Sequence, residues 1–170
     1  PHFRFNPISE NSASKPFVSS HLDCAPISVS AVKDKKGRVD ITTMPLALSI
    51  RQASSWDEIY RQIMLAGKQL NKLPSDDHIG QYEVMGCESQ VWLKCEKQGN
   101  YLALSAYSPS KIVRGLLAII FEPLTHLTIK QIKLFDLHAY LDDLGLGRHV
   151  SQSRGNGLQA VIEQIKVYVK

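Results

Sequence analysis

No stretch of this sequence approaches the roughly 20 apolar residues that a membrane-crossing helix needs. The longest apolar run, Ile112 to Phe121, is broken by Arg114 and Gly115 and reads as a buried helix. No membrane role is expected. Cysteine is scarce and odd in number: Cys24, Cys87 and Cys95 cannot close into a disulfide framework. A reducing setting, the cytoplasm, is therefore expected. The histidines (His2, His21, His78, His126, His138 and His149) are scattered without the short spacings of a zinc or iron site. Gly145-Leu146-Gly147 lacks the strand–loop–helix setting of a phosphate loop, and no Ser-His-Asp grouping of recognisable spacing occurs. There is no internal repeat and no low-complexity tract. Pro1-His2-Phe3-Arg4 lacks the basic start and apolar stretch of a secretory signal. A start at proline rather than methionine reads as a processed or partial product.

Excess charge of one sign is also missing where a fold is expected. The formal net charge is +4, but residues 1–55 carry seven basic and four acidic groups, and the remainder thirteen and twelve. The second part is thus nearly neutral. A nucleic-acid reader needs a clustered basic stripe, and only Lys33-Asp34-Lys35-Lys36-Gly37-Arg38 approximates one; it reads as a solvated turn. No nucleic-acid partner is expected.

What is present is a 44% hydrophobic chain of 170 residues, enough for one domain with a real core. Residues 1–43, rich in Ser, Pro and Asn, read as a poorly ordered extension, with segments 27–32 and 39–41 as candidate edge strands. Ser55 with Glu58 makes a capping box for a helix from Trp56 to Leu70, whose apolar face carries Trp56, Ile59, Tyr60, Ile63, Met64, Gly67 and Leu70. A short turn or helix is expected over 77–82. Two strands follow, over about 89–96 and 101–106, joined by the hairpin chemistry of Gln98-Gly99-Asn100. Ser108 or Ser110 caps a central helix that Glu122-Pro123 stops. Short helices follow from Thr128 and from Asp136, the latter punctuated by Gly145 and Gly147, and a last helix spans about 155–169. The expected fold is α+β: a small antiparallel sheet with helices packed against it.

The segment that carries chemistry is Gly86-Cys87-Glu88-Ser89-Gln90-Val91-Trp92, a cysteine after a glycine at the mouth of a strand. Glycine permits a backbone angle that puts the thiol on a tight turn. From the residues alone, Cys87 is either an inert small hydrophobe or a reachable thiol. Cys95, eight residues on along the strand, reads as facing the core.

The same segment resembles the signature of the SufE/CsdE family of sulfur-acceptor proteins. Further matches come in family order: Ser108-Pro109-Ser110-Lys111-Ile112-Val113-Arg114-Gly115-Leu116, Leu144-Gly145-Leu146, and Ser151-Gln152-Ser153-Arg154-Gly155-Asn156-Gly157-Leu158. Leu65-Ala66-Gly67-Lys68-Gln69-Leu70 resembles part of the family's first long helix, and the likeness spans about residues 45–170. Glu88 and the Leu144 and Arg154 regions are closer to the CsdE branch. The boundary of the acceptor domain is therefore drawn at residue 44, and Met44 is a candidate natural start. In one departure, Tyr107 stands where the family usually has an acidic residue.

The resemblance implies that Cys87 takes a persulfide sulfur from a cysteine desulfurase, stimulates that enzyme, and passes the sulfur to a downstream acceptor protein, in support of iron–sulfur cluster assembly. This is a sulfurtransferase-like carrier rather than a stand-alone enzyme. It needs no cofactor of its own; pyridoxal phosphate belongs to the desulfurase. An unperturbed thiol is only a few per cent ionised at neutral pH, and Glu88 disfavours ionisation further. Arg154 is the candidate cation that compensates, set against a purely structural role at the start of the last helix. Gly86, Ser89 and Gln90, with Glu88, shape the loop. The competing readings are an iron–sulfur scaffold, which needs three or four converging ligands, and a regulatory module that binds the desulfurase without accepting sulfur.

Overall fold

The computed structural model describes residues 39–170. Cys24, segment 27–32 and the basic run 33–38 lie outside the described residues. The packed body begins ahead of the boundary drawn at residue 44: Val39 and Ile41 are buried. The chain turns at Ile41 rather than extending as an edge strand, because the Asp40 carboxylate accepts the Thr42 amide at 3.1 Å and starts a 3-10 turn.

Helix α1 (Pro45–Gln52) opens on proline, whose missing N–H is not needed there. Its N-cap, Met44, has no capping side chain. Glu122 supplies one from a distance, accepting the Leu46 and Ala47 amides at 2.9 Å each. A carboxylate at that end also suits the helix dipole.

Helix α2 (Trp56–Ala66) is capped by Ser55, whose hydroxyl accepts the Glu58 amide at 3.2 Å. The reciprocal half of the expected capping box goes elsewhere: the Glu58 carboxylate takes the amide and hydroxyl of Ser54. The helix ends four residues before the expected Leu70. Tight bonds from Lys68 to Leu65 and from Gln69 to Ala66 wind the chain out at Gly67, which still delivers Leu70 to the core. Trp56 and Tyr60, expected on the buried face, are 41% and 42% exposed, and Trp56 stacks on His149.

Strands β1 (Trp92–Gln98) and β2 (Tyr101–Tyr107) form an antiparallel hairpin, Trp92 opposite Tyr107 and Gln98 opposite Tyr101. Gly99 sits at φ +62 while Asn100 keeps a negative φ, as a turn with glycine at its first central position requires. β1 starts at Trp92 rather than Ser89 because the pairing register runs out at Tyr107. Leu93, Leu102, Leu104 and Ala106 point to the core. A lone hairpin is marginal in water, and here it lies against the central helix. Its other face is partly covered by the 72–83 segment, where the His78 ring stacks between Trp92 and Tyr107 at 4.8 and 4.4 Å.

Helix α3 (Lys111–His126) is that central element, capped by Ser110 and buried around most of its circumference. It does not stop at Pro123. A proline inside a helix deprives the carbonyl four residues earlier of its donor, and that carbonyl belongs to Ile119. The buried Tyr140 hydroxyl donates to it at 3.0 Å, so the helix continues one turn further.

Helix α4 (Ile129–Ile132) carries a complete Thr128–Gln131 capping box. Helix α5 (Leu137–Asp143) is capped by Asp136 and ends in a Schellman motif. There Leu146 donates to Leu141 and Gly145 to Asp142, with Gly145 at φ +74. Helix α6 (Gln152–Tyr168) starts three residues before the expected Gly155, because the Ser151 hydroxyl accepts the Arg154 amide at 3.4 Å. Its face of Leu158, Val161, Ile162, Ile165 and Val169 is buried as the periodicity predicts. The architecture is α+β, a two-stranded antiparallel sheet with helices packed against it.

Candidate functional site

The cysteine lies on a loop closed at its neck. Val84 donates to the Val91 carbonyl at 2.8 Å, and both neck residues are buried. Between them residues 85–90 form the loop, with Met85 80% exposed just beyond the neck. Gly86 turns the loop with φ +90, a conformation that favours glycine. That turn directs Cys87 inward, where it is half-buried and packs against the core.

The Cys87 thiol donates to the Gly157 carbonyl of α6 at 3.3 Å. The approach is tight: a Cβ at position 157 would stand 3.3 Å from Sγ and 3.5 Å from the Cys87 Cα. Only glycine lets the helix and the loop come this close without one of them yielding. Burial pushes the Cys87 thiol above its ordinary pKa, so in the free protein the neutral thiol is the favoured form.

A cleft of about 280 Å³ opens beside the sulfur. One side is the loop, with Cys87, Glu88, Ser89 and Val91; the second is α3, with Val113, Leu116 and Leu117; the third is the start of α6, with Ser153, Arg154 and Gly157. The structure thus gathers Cys87, Glu88, Ser89 and Arg154 around one space, with Gly86 at the turn that aims the cysteine. Gln90 is exposed and does not line it. The Arg154 amide is held in the first turn of α6, while its exposed guanidinium has no hydrogen bond or ion pair among the described residues. The amino end of α6 adds its positive dipole end to that wall.

Three contributors escaped the sequence reading. Gly157 is one: it stands within the 151–158 segment, but without an assigned role, and otherwise shows only as a glycine inside a helix, where it is unfavourable by about 0.5–1 kcal/mol relative to alanine. Ser153 and the apolar wall of α3 are the others; Ser153 lay ahead of the expected start of the last helix, and the α3 residues read simply as buried helix.

Cys95 is apart from this site. It sits mid-strand opposite Leu104, packs against the core, and burial pushes its thiol up to about 12. Both cysteines are free thiols. Among the described residues no group of three or more His, Cys, Asp or Glu side chains converges as a metal site would, and no helix is long and apolar enough to cross a membrane. Tyr107 carries no charge into the region; it stacks on His78 and lies beneath the Arg114 guanidinium at 5.5 Å. Arg114 itself is tied to the Ser108 and Pro109 carbonyls, and Lys111 is exposed.

Fold and site together define a class: a small α+β domain that keeps a single cysteine folded against a helix at the edge of a mixed apolar and polar cleft. Residues 45–169 match the SufE family, described as an Fe-S metabolism associated domain, and the chain belongs to that family. It is 34% identical over 119 residues to an uncharacterized SufE-like protein of Haemophilus influenzae, an alignment covering 69% of this chain and 94% of the relative. A hypothetical protein from Thermus thermophilus, solved in solution, superposes with a TM-score of 0.61, covering 75% of this chain and 91% of that one. At 14% identity that likeness shows the fold alone.

Proposed function

We propose that this protein is a sulfur acceptor and carrier that takes persulfide sulfur from a cysteine desulfurase onto Cys87. Family membership ties the chain to iron–sulfur metabolism. The observation that carries the finer reading is the half-buried Cys87 thiol, held on a glycine-turned loop and hydrogen-bonded to Gly157.

The Cys87 thiolate attacks the outer sulfur of the donor's persulfide. A new S–S bond forms at Cys87 and the donor's S–S bond breaks. The donor cysteine leaves as a thiolate and takes up a proton, and Cys87 becomes Cys87-S-SH. No external oxidant or reductant is consumed, since the transferred sulfur keeps its oxidation level.

The resting geometry opposes this reaction: burial and the carbonyl partner both favour the neutral thiol. That is useful for a carrier, because a sheltered persulfide is spared reduction and over-oxidation. Docking of the desulfurase on the exposed loop around Met85 releases the thiol, and Arg154 with the amino end of α6 favours its anionic form. Glu88, Ser89 and Gln90 shape the loop and its contacts. Within the family we place the chain nearer to the CsdE branch, on Glu88 and the Leu144 and Arg154 segments. The cytoplasm is the compartment that fits a working free thiol, and pyridoxal phosphate remains the desulfurase's own.

The experiment that separates the carrier from a regulatory module is desulfurase turnover with wild-type chain and with Cys87→Ser. The carrier predicts that stimulation is lost in the variant while binding to the desulfurase persists. Full stimulation by Cys87→Ser contradicts it.

A further inference from the structure

α3 presents two chemistries on two faces. Val113, Leu116 and Leu117 look into the Cys87 cleft, whereas Lys111 and Arg114 look into a second cleft of about 340 Å³ against the C-terminal part of α2. Arg61, Lys68, Lys72, Lys111 and Arg114 line it, and no carboxylate does. Residues 56–170 carry thirteen basic and twelve acidic side chains, so this is segregation of charge rather than general basicity.

None of these cations makes an ion pair among the described residues. Arg61 shares only the field of Glu58, one turn earlier on α2. Like charges gathered without counter-charges repel, and the fold gains nothing visible from collecting them. Between the cations the floor is apolar, made by Met64, Gly67 and Leu65, the last 41% exposed.

We propose that this cleft docks an acidic, amphipathic segment of a protein partner, with carboxylates against the cations and an apolar side chain on Met64 and Leu65. A phosphate ligand is the weaker fit. The apolar floor of Met64, Gly67 and Leu65 gives a phosphate nothing to contact, and the Arg114 Nη1 bonds to the Ser108 and Pro109 carbonyls form no phosphate cradle. Those bonds instead hold Arg114 in a fixed place, at low further entropy loss on binding. Because the cleft lies on a different face of α3 from the cysteine, a partner seated there leaves the Cys87 loop free. The proposal is independent of the sulfur-carrier reading.

The test is titration of the isotope-labelled full chain with a synthetic helical peptide carrying paired Glu residues and one Leu per turn. A Ser-for-Leu peptide and inorganic tripolyphosphate serve as comparisons. The expected result is amide shifts confined to residues 61–72 and 111–114, with binding weakened by added salt. Lys68→Glu with Lys72→Glu, or Lys111→Glu alone, should weaken the Glu/Leu peptide about tenfold or more, equivalent to about 1.4 kcal/mol. Lys130→Glu with Lys133→Glu, outside the cleft, should leave it unchanged, as should the rate of Cys87 alkylation with peptide bound. A dispersed amide spectrum verifies that each variant folds. Shifts centred elsewhere, equal binding by the cleft variants, equal binding of the Ser-for-Leu peptide, or tighter occupancy by tripolyphosphate overturns the proposal.

Discussion

At the scale of single residues, Cys87 is placed by two glycines that have different work. Gly86 was legible in the sequence because its effect is local: it turns the chain at φ +90 just before the thiol. Gly157 was not, because its partner lies seventy residues away and spacing along α6 says nothing about what crosses it. Burial raises the Cys87 thiol, so its alkylation should be slow at neutral pH and keep rising beyond the range where an exposed thiol levels off. A pH–rate profile with iodoacetamide checks this; a plateau at or below the ordinary thiol range contradicts it. Arg154→Gln should slow the loading of Cys87 by docked desulfurase severalfold, and an unchanged rate removes Arg154 from the mechanism. Cys95 is raised from 9.0 to about 12. The stability that comes from keeping it neutral is fully present below its ordinary pKa and is lost as pH rises towards 12. Thermal unfolding followed from about pH 8 into the alkaline range should therefore fall more steeply in wild type than in Cys95→Ala.

At the scale of elements, helices and hairpin were readable wherever the signal was local. The Gln98–Asn100 turn, the caps Ser55, Ser110, Thr128 and Asp136, and the buried face of α6 all follow from neighbouring residues. What the sequence concealed was compensation across the fold. Pro123 reads as a stop until Tyr140 appears at the Ile119 carbonyl, and α1 was not anticipated at all, its first amides being capped by Glu122 from 75 and 76 residues away. Tyr140→Phe leaves that buried carbonyl without a donor and should destabilise the chain by about 1–3 kcal/mol, read from denaturant unfolding. Gly115→Ala should destabilise it by a similar or larger amount, because the added methyl meets the Ile63 carbonyl where α2 crosses α3. Gly157→Ala acts differently. Its methyl displaces the loop at Cys87, so alkylation of that thiol should speed up more than stability falls.

At the scale of the whole molecule, the class of fold was readable because a hairpin flanked by amphipathic helices has few ways to bury its apolar face. The start of the packed body was less so: Val39 and Ile41 join the core from a segment whose composition resembles a solvated extension. The fold serves the site by bringing a loop, the middle of α3 and the amino end of α6 to one cleft, so that no single element holds the chemistry. This organisation suits a protein that stores a reactive group between two encounters and exposes it only when docked. The most direct test is mass spectrometry of the full chain after incubation with a cysteine desulfurase and free cysteine, followed by peptide mapping. The account predicts the added mass of one sulfur atom on the peptide containing Cys87 and none on Cys95. A chain that stays unmodified at Cys87 beside a persulfidated donor contradicts it.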